Sequence, residues 1–562
     1  MRILCGPENL THLSNYLYQG LSANHDVLCF NDQADRGIRF SYPHQTFQDV
    51  LAKLPPGWEP DLVIWWFPEF HPLLEGVEDC PFPTLLAVSD WHVTSQPILE
   101  IASAFDLVAT DRTGLDLISS QTDVEAFYTP LYGFDPNTHK YLNLEREVDI
   151  GHVGDVNPAL QKERVNMMCR AAALSDDFKV QFDTGVFGDA YVELLNKTRI
   201  TLNHTLRKEM SMRCYEAPAC GSLLFCEETN QEVGDFLVDG EHCVLYNAHN
   251  LESKLREFAQ DEEKRVRLAM AGYERIQNYT YEKQMSRLLA EVEARLKDRP
   301  RRFRRFSEGE RRVRLAHQGV CAYTRKAPSM AIHQAELALK TRSGGKIHNI
   351  LGVAFSRAAE LEADREKRLE LQRKAEESFR RALPYSLMVY LNLAHLYLAQ
   401  NKNRRALRIL QRAEAEDPTF REVVPYAPPL QEFWCSWERE REERENLTRW
   451  YLFQLLAQLE PERQQVHLEK ALQYHREKGQ TWYQLSRLFP DESEEKVEAL
   501  LRVTELEGHH VWARVDLARC LWSRGRRSHA EELLSQTETL LNCMPFPDQA
   551  RQFLDLVRQQ LV

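Results

Sequence analysis

These 562 residues lack most features that announce a location or a cofactor. No apolar run approaches the roughly 20 residues of a membrane-crossing helix, so no integral membrane segment is expected. The opening MRILCGPENL has neither a charged leader nor the apolar stretch of a signal peptide. Among 12 cysteines there is no Cys-x-x-Cys pair, and no histidines stand at finger-like spacing near Cys214, Cys220 and Cys226. Free buried thiols in a reducing cytoplasm are therefore expected. An excess of positive charge is missing too. Against 71 basic residues stand 84 acidic ones, a net −13 that argues against a general nucleic-acid role. No large part has the composition of a disordered chain. With 43% hydrophobic and 10% aromatic residues the chain can fill several cores, and its length suggests about three or four domains.

What is present begins as an alternation of strands and helices. Residues 2–5, 26–30, 61–67, 83–88 and 106–110 read as strands, and a helical pattern runs through Leu10, Leu13, Tyr16 and Leu17. The run at 61–67 is apolar without alternation, as in a strand covered on both faces. Polar clusters follow two of these strands, at 89–92 and 111–114. A second series follows, with strands at 148–154, 178–183, 199–203, 222–226 and within 236–246. Helices are expected at 158–173, 189–197, 211–219 and over most of 251–298. Sheets of this doubly wound, parallel type bind ligands at the carboxyl ends of their strands.

The stretch 198–226, TRITLNHTLRKEMSMRCYEAPACGSLLFC, carries the most specific chemistry. Arg213 falls in the first turn of the expected helix. A cation there is disfavoured by roughly 0.3–1 kcal/mol unless an anion shares the spot. A helix start plus an arginine fork suits a diphosphate. Glu216, three residues on, lies beside Arg213 on one helical surface, and a plain surface Arg–Glu pair explains that spacing equally well. Pro218 inside the helix costs about 3 kcal/mol, which calls for a short or kinked helix.

After a basic stretch at 299–306 the pattern becomes helical and repetitive. Tyr390, Leu393, Ala394, Tyr397, Ala406, Leu410, Ala413 and Pro418 follow a period of about 34 residues that resembles the tetratricopeptide repeat. His348, Leu351, Gly352, Phe355, Ala375, Phe379 and Ala382 give a second unit. Leu517, Ala518, Leu521, Ala530 and Leu534 give a third, and Trp482, Leu485 and Phe489 a degenerate fourth. The alternating acidic and basic run at 437–445 reads as a solvated helical face.

Taken in order, GHVG, TRITLNHT, MRCYEAPACGSLLFC, DFLVDGEHCVLYN and EKRVRLAMAGYERIQNYTYEKQM resemble the catalytic half of GT-B glycosyltransferases. They are most similar to the group-one family that includes CgeB-like proteins. Arg213, Glu216, Ala217, Ala219, Gly221, Gly240, Glu241, Tyr246, Gly272 and Arg275 carry the family pattern. The resemblance spans roughly 1–298 and is strongest over 148–285. Tyr215 replaces the family's phenylalanine. Lys208 replaces the acidic residue eight positions before Glu216, with Glu209 adjacent, so the stereochemical outcome stays open.

The resemblance implies two Rossmann-like domains facing a cleft, an acceptor-side one over 1–140 and a nucleotide-sugar one over 141–298. A basic linker over 299–312 and an all-α repeat domain over 313–562 follow. It implies hexosyl transfer from a nucleotide sugar, expected to be UDP-linked, to a protein or glycan acceptor, with the repeats recruiting a protein partner. Gly154, Asn203, His204, Arg213, Glu216 and Gly221 are the implied donor-binding residues, with Glu216 on the ribose and Arg213 on the diphosphate. Asp90 and His92 are candidates for catalytic work in the first domain, as a general base if the reaction inverts. A turn-stabilising aspartate and a surface histidine is the alternative for that pair. No Asp-x-Asp follows an apolar strand, so neither a metal nor another cofactor is expected. A non-catalytic scaffold and a nucleotide-sugar epimerase stay open as other readings.

Overall fold

The computed structural model describes the chain except residues 8–11, 33–36, 157–160, 298–305, 323–326, 342, 427–440, 545, 547 and 562. It divides into two compact units, Met1–Leu131 with Tyr281–Glu462, and Tyr132–Thr280 with Arg463–Val562. Leu10, the expected helix start near 158, most of the basic stretch and the beginning of the charged run fall outside the described residues.

The first unit opens with β1 (Arg2–Gly6), α1 (His12–Ser22), β2 (Asp26–Asn31), β3 (Ile38–Arg39) and α2 (Phe47–Leu51). It continues with β4 (Leu62–Trp66), β5 (Thr84–Ala87), α3 (Ser95–Ala102), β6 (Leu107–Thr110), α4 (Arg112–Gln121) and β7 (Glu125–Tyr128). The seven strands are parallel, in the order β3-β2-β1-β4-β5-β6-β7. Every residue of β4, β5 and β6 is buried, which accounts for their unbroken apolar runs. The strand order reverses between β1 and β4, and the carboxyl ends of these two strands flank the topological switch point. The short β3 and β7 have no strong sequence signal and were not anticipated.

The helix Tyr281–Leu296 belongs to this first unit, lying on α1 with the Tyr16 and Tyr281 rings stacked 5.1 Å apart. The chain therefore leaves the second unit at Thr280, well before the boundary expected at 298. The helix Glu308–Cys321 starts inside the stretch expected as linker. A capping box causes this: Ser307 and Glu310 satisfy each other's backbone amides, at 3.2 and 3.4 Å. Leu315 and Met330 then join the core of the first sheet. Gln318 from the same helix donates to the Pro68 and His71 carbonyls at 2.7 and 2.9 Å and accepts from the Leu73 amide at 2.7 Å. Two paired-helix repeats follow, Gly345–Leu361 with Arg365–Ala382 and Leu387–Ala399 with Asn403–Glu416. Gly352 permits the first pairing, since a Cβ there would lie 2.4 Å from the Phe379 ring.

The second unit runs β8 (Val148–Val153), α5 (Lys162–Ala172), β9 (Val180–Asp183), α6 (Gly188–Lys197), β10 (Thr198–Leu202) and α7 (Met212–Ala219). β11 (Leu223–Glu227), α8 (Val233–Phe236), β12 (Val244–Tyr246), α9 (Leu251–Gln260) and α10 (Glu262–Ile276) complete it. Its five parallel strands take the order β12-β11-β10-β8-β9, with the reversal between β8 and β10. Leu540, Cys543 and Met544 share a core with Ile150, Met168 and Phe182. The helical region expected as one stretch is thus shared between the two units. No helix among the described residues is long and apolar enough to cross a membrane. Cys214, Cys220 and Cys226 are buried free thiols.

α7 passes through Pro218 and stops one residue later, so the proline removes one i→i−4 hydrogen bond and no further turn follows that its ring could kink. Its end is a Schellman motif, with the Ser222 amide on Ala217 O at 3.0 Å and the Gly221 amide on Pro218 O at 2.8 Å. Gly221 is left-handed at φ 72°, and a Cβ there would lie 2.7 Å from the Tyr141 ring and 2.8 Å from the Arg146 guanidinium. Gly221→Ala is therefore expected to cost at least about 1 kcal/mol, read as a lower urea midpoint at unchanged slope.

Candidate active site

The residues of interest in the second unit meet where β8 and β10 end. Arg213, the second residue of α7, turns away from solvent and donates to Asn203 Oδ1 at 2.8 Å and to the Val153 carbonyl. One side chain therefore ties the ends of both strands at the switch point. Gly154 makes room for it, because a Cβ would stand 2.1 Å from the Arg213 Nη2 atom. The Gly154 amide already donates to Asp183 O at 3.0 Å, so this residue contributes space and not a free donor. Asn203 is fully buried, with Nδ2 against Cys214 Sγ at 3.2 Å and its carbonyl accepting from Tyr246 Oη at 2.6 Å. Its visible work is to hold Arg213.

Two residues that the sequence reading did not single out complete the cluster. Arg164 on α5 donates to the His204 carbonyl at 2.8 Å and to Asp155 O at 3.0 Å. Burial, then the nearby Arg213 charge, lowers its pKa to about 10, while Glu209, Glu227 and Asp155 act in the opposite sense. His152 donates from Nδ1 to the Leu202 carbonyl at 2.8 Å. Burial foremost, then Arg213 and Arg164, holds its pKa well below the usual value, so the ring is neutral. Its Nε2 lone pair and the Arg213 Nε–H are buried without hydrogen-bond partners among the described residues. Neither arginine is ion-paired with a carboxylate there. Two guanidiniums, an unfilled donor and an unfilled acceptor make a place for an anion that also carries hydroxyl groups. A histidine in the buried Ile-Gly-His-Val end of β8 was the available signal for His152.

Glu216 faces another way. It is 4% exposed, accepting from Tyr191 Oη at 2.7 Å and lying 3.3 Å from His139 Nε2. The expected side-by-side pair with Arg213 on one surface is therefore replaced by two inward contacts to different elements. Gly221 sits at the opposite end of α7 from Arg213. Lys208 is left-handed at φ 63°, and the Glu209 carboxylate accepts from the Arg207 amide at 2.7 Å. Gly272 and Arg275 support loops: a Cβ at Gly272 would meet His242 O at 2.5 Å, and Arg275 donates to Phe236 O at 2.9 Å.

In the first unit Asp90 and His92 follow β5, with Asp90 half-buried and His92 buried. The group that organises this edge is Glu69, just beyond β4 at the switch point. It is fully buried, and Ser89 Oγ and the Asp90 amide both donate to its Oε1 at 2.8 Å. Oε2 has no hydrogen-bond partner among the described residues. Burial, then the Asp90 charge, lifts the Glu69 pKa to about 7. Phe67, left-handed at φ 54°, turns the chain sharply out of β4, and Gln318 clamps the same loop. The cue was a carboxylate closing an apolar run, the pattern already noted after β5. Among the described residues no group of three histidine, cysteine or acidic side chains is placed to hold a metal ion.

Residues 156–290 match a family model described as "Glycosyl transferase-like". This part of the chain is glycosyltransferase-like. No curated protein matches the chain. A glycosyltransferase from Rickettsia africae is similar at 9% identity over 53% of this chain and 99% of its own, with a TM-score of 0.41. The sucrose-phosphate synthase of Thermosynechococcus elongatus is similar at 14% identity over 52% and 99%, with a TM-score of 0.38. HepE of Anabaena, solved with UDP and glucose, is similar at 11% identity over 52% and 99%, with a TM-score of 0.37. These scores are too low to carry an argument, and the site is read from its own residues.

Glu69 makes the stability depend on pH. Its carboxyl titrates near 4.5 when unfolded and near 7 when folded. Between those values the folded chain keeps a proton that the unfolded chain has released. The stabilisation is complete below about 4.5 and is lost as pH rises through about 7. Glu69→Gln keeps the acceptor for Ser89 and Asp90 but cannot ionise. It is expected to exceed the parent in stability by on the order of 2–3 kcal/mol at pH about 8, with the difference closing near pH 4.5. Urea unfolding at both pH values checks this.

Proposed function

We propose that the second unit binds a nucleotide sugar, UDP-linked, and that the protein transfers the hexose to an acceptor hydroxyl. The observation that carries this reading is the half-buried Arg213 and Arg164 at the β8–β10 switch point, neither ion-paired with a carboxylate among the described residues. A diphosphate there receives the Arg213 Nε–H and the guanidinium charges. As the glycosidic bond breaks, the leaving phosphate gains negative charge against cations already fixed in place, which lowers the barrier without reorganisation. The neutral His152 offers Nε2 as an acceptor for a donor hydroxyl. Glu216 uses only part of its acceptor capacity on Tyr191 and His139 and is assigned to the ribose hydroxyls.

On the first unit, Glu69 has the environment of a general base: buried, oriented by two donors, and titrating near neutral pH. Asp90 and His92 are then assigned to acceptor binding beside it. Charge neutralisation is assigned to the arginines and not to a metal ion, and the buried thiols suit a reducing cytoplasm. A protein acceptor recruited by the helical repeats completes the proposal.

Calorimetry with UDP and with pyrophosphate tests the assignments separately. Arg213→Ala should weaken both by about 10- to 100-fold, the worth of charge-assisted hydrogen bonds. Glu216→Ala should weaken UDP alone. Unchanged UDP affinity in Arg213→Ala overturns the reading. Transfer from UDP-hexose should survive excess EDTA, and Glu69→Gln should lower kcat by at least about 100-fold with UDP affinity intact.

A further inference from the structure

Residues 418–426, between the helix Asn403–Glu416 and the undescribed 427–440, have no regular secondary structure. Yet Phe420, Val423, Val424 and Tyr426 are each no more than 5% exposed. They lie along the helices Gly345–Leu361 and Leu387–Ala399 as an extended peptide lies in a receptor. Asn392 accepts from the Tyr426 amide at 2.8 Å and donates to the Val424 carbonyl at 2.9 Å. Asn349 donates to the same carbonyl at 2.9 Å, and its Oδ1 accepts from Asn392 Nδ2 at 2.9 Å. Ser386 donates to the Arg421 carbonyl at 2.7 Å and accepts from the Arg421 amide at 3.1 Å.

Asn349, Asn392 and Ser386 are all fully buried. Helices spend their own backbone groups internally, so a strand crossing them must find its partners among side chains. An amide side chain can donate and accept at once, matching a peptide unit. Covering an apolar helix face would need only leucine or alanine, whereas buried amides cost free energy unless paired. Apart from the bond linking the two asparagines, these contacts go to main chain, so they read extended backbone and not one sequence. Side-chain preference comes from Tyr426, whose hydroxyl donates to Glu360 at 2.6 Å, and from Glu422, paired with Arg444 at 2.6 Å.

We propose that this groove is a receptor for an extended segment of a partner protein, and that residues 420–426 fill it as an internal surrogate which the partner's segment replaces. The preferred segment has the pattern Glu-Val-Val-x-Tyr. The inference is independent of the transferase reading. Tethering gives the internal segment an effective concentration in the millimolar range, so the intact chain should bind a free peptide weakly.

The test replaces residues 419–426 by an equal length of glycine and serine and titrates a labelled synthetic peptide of sequence 418–426, followed by fluorescence anisotropy. Binding at least tenfold tighter than to the intact chain, and lost again on adding Asn392→Ala, is the expected result. A folded replacement that binds no peptide, or binds it no better than the intact chain, overturns the proposal. If the replacement does not fold, hydrogen exchange on the intact chain decides. Excess peptide should speed exchange of the Tyr426 amide, an effect absent with a scrambled peptide. No change in that amide overturns the proposal.

Discussion

Arg213 imposes the central constraint on the second unit. A guanidinium at the positive end of a helix, turned inward, needs a strong local arrangement to hold it. The surrounding residues supply one. The Val153 carbonyl and Asn203 Oδ1 accept from it, Gly154 gives it space, and the Cys214 thiol and Tyr246 hydroxyl hold Asn203 in turn. These contacts neutralise hydrogen bonds but not charge. The unmet term is electrostatic, and Arg164 enlarges it. An arrangement that keeps two cations this close without a paired carboxylate is costly for stability alone, and binding an anion removes the cost.

The first unit is governed by a different device, a polar clamp from the helical region. Gln318 uses both ends of its amide on the loop from Pro68 to Leu73, which contains Glu69. Arg312 with Glu75, and His317 with Glu100, fasten the same helix nearby. The helix Glu308–Cys321 is therefore part of the first sheet's site and not a linker.

Much of this was legible in the residues. Unbroken apolar runs such as 61–67 gave the buried parallel strands, and a polar residue at the end of each run marked the working edge. The helix expected over 211–219 lies within one residue of the observed α7, though Ser211 makes no side-chain cap bond at its start. What was not legible depended on distance in sequence. Glu216 was paired with Arg213 by helical spacing, but Tyr191 and His139 claim it from other elements. Glu69 and Asp90 stand 21 residues apart, and only the parallel neighbours β4 and β5 bring them together. The return of Tyr281–Leu296 to the first unit is likewise a packing event, since its periodicity is that of any amphipathic helix.

Lys208 shows how one backbone conformation sets where the next charge lies. At φ 63° the backbone reverses its direction at this residue, at a cost of on the order of 1 kcal/mol for a side chain other than glycine. The next carboxylate, Glu209, is thereby carried inward, where it accepts the Arg207 amide and lies 8% exposed. Its charge is among those that offset the desolvation of Arg164. The carboxylate at 209 bears on the arginine cluster through its field. With Glu227 and Asp155 it is one of three carboxylates whose fields offset the burial of Arg164 without an ion pair to it among the described residues, which leaves the guanidinium's charge open to an added anion.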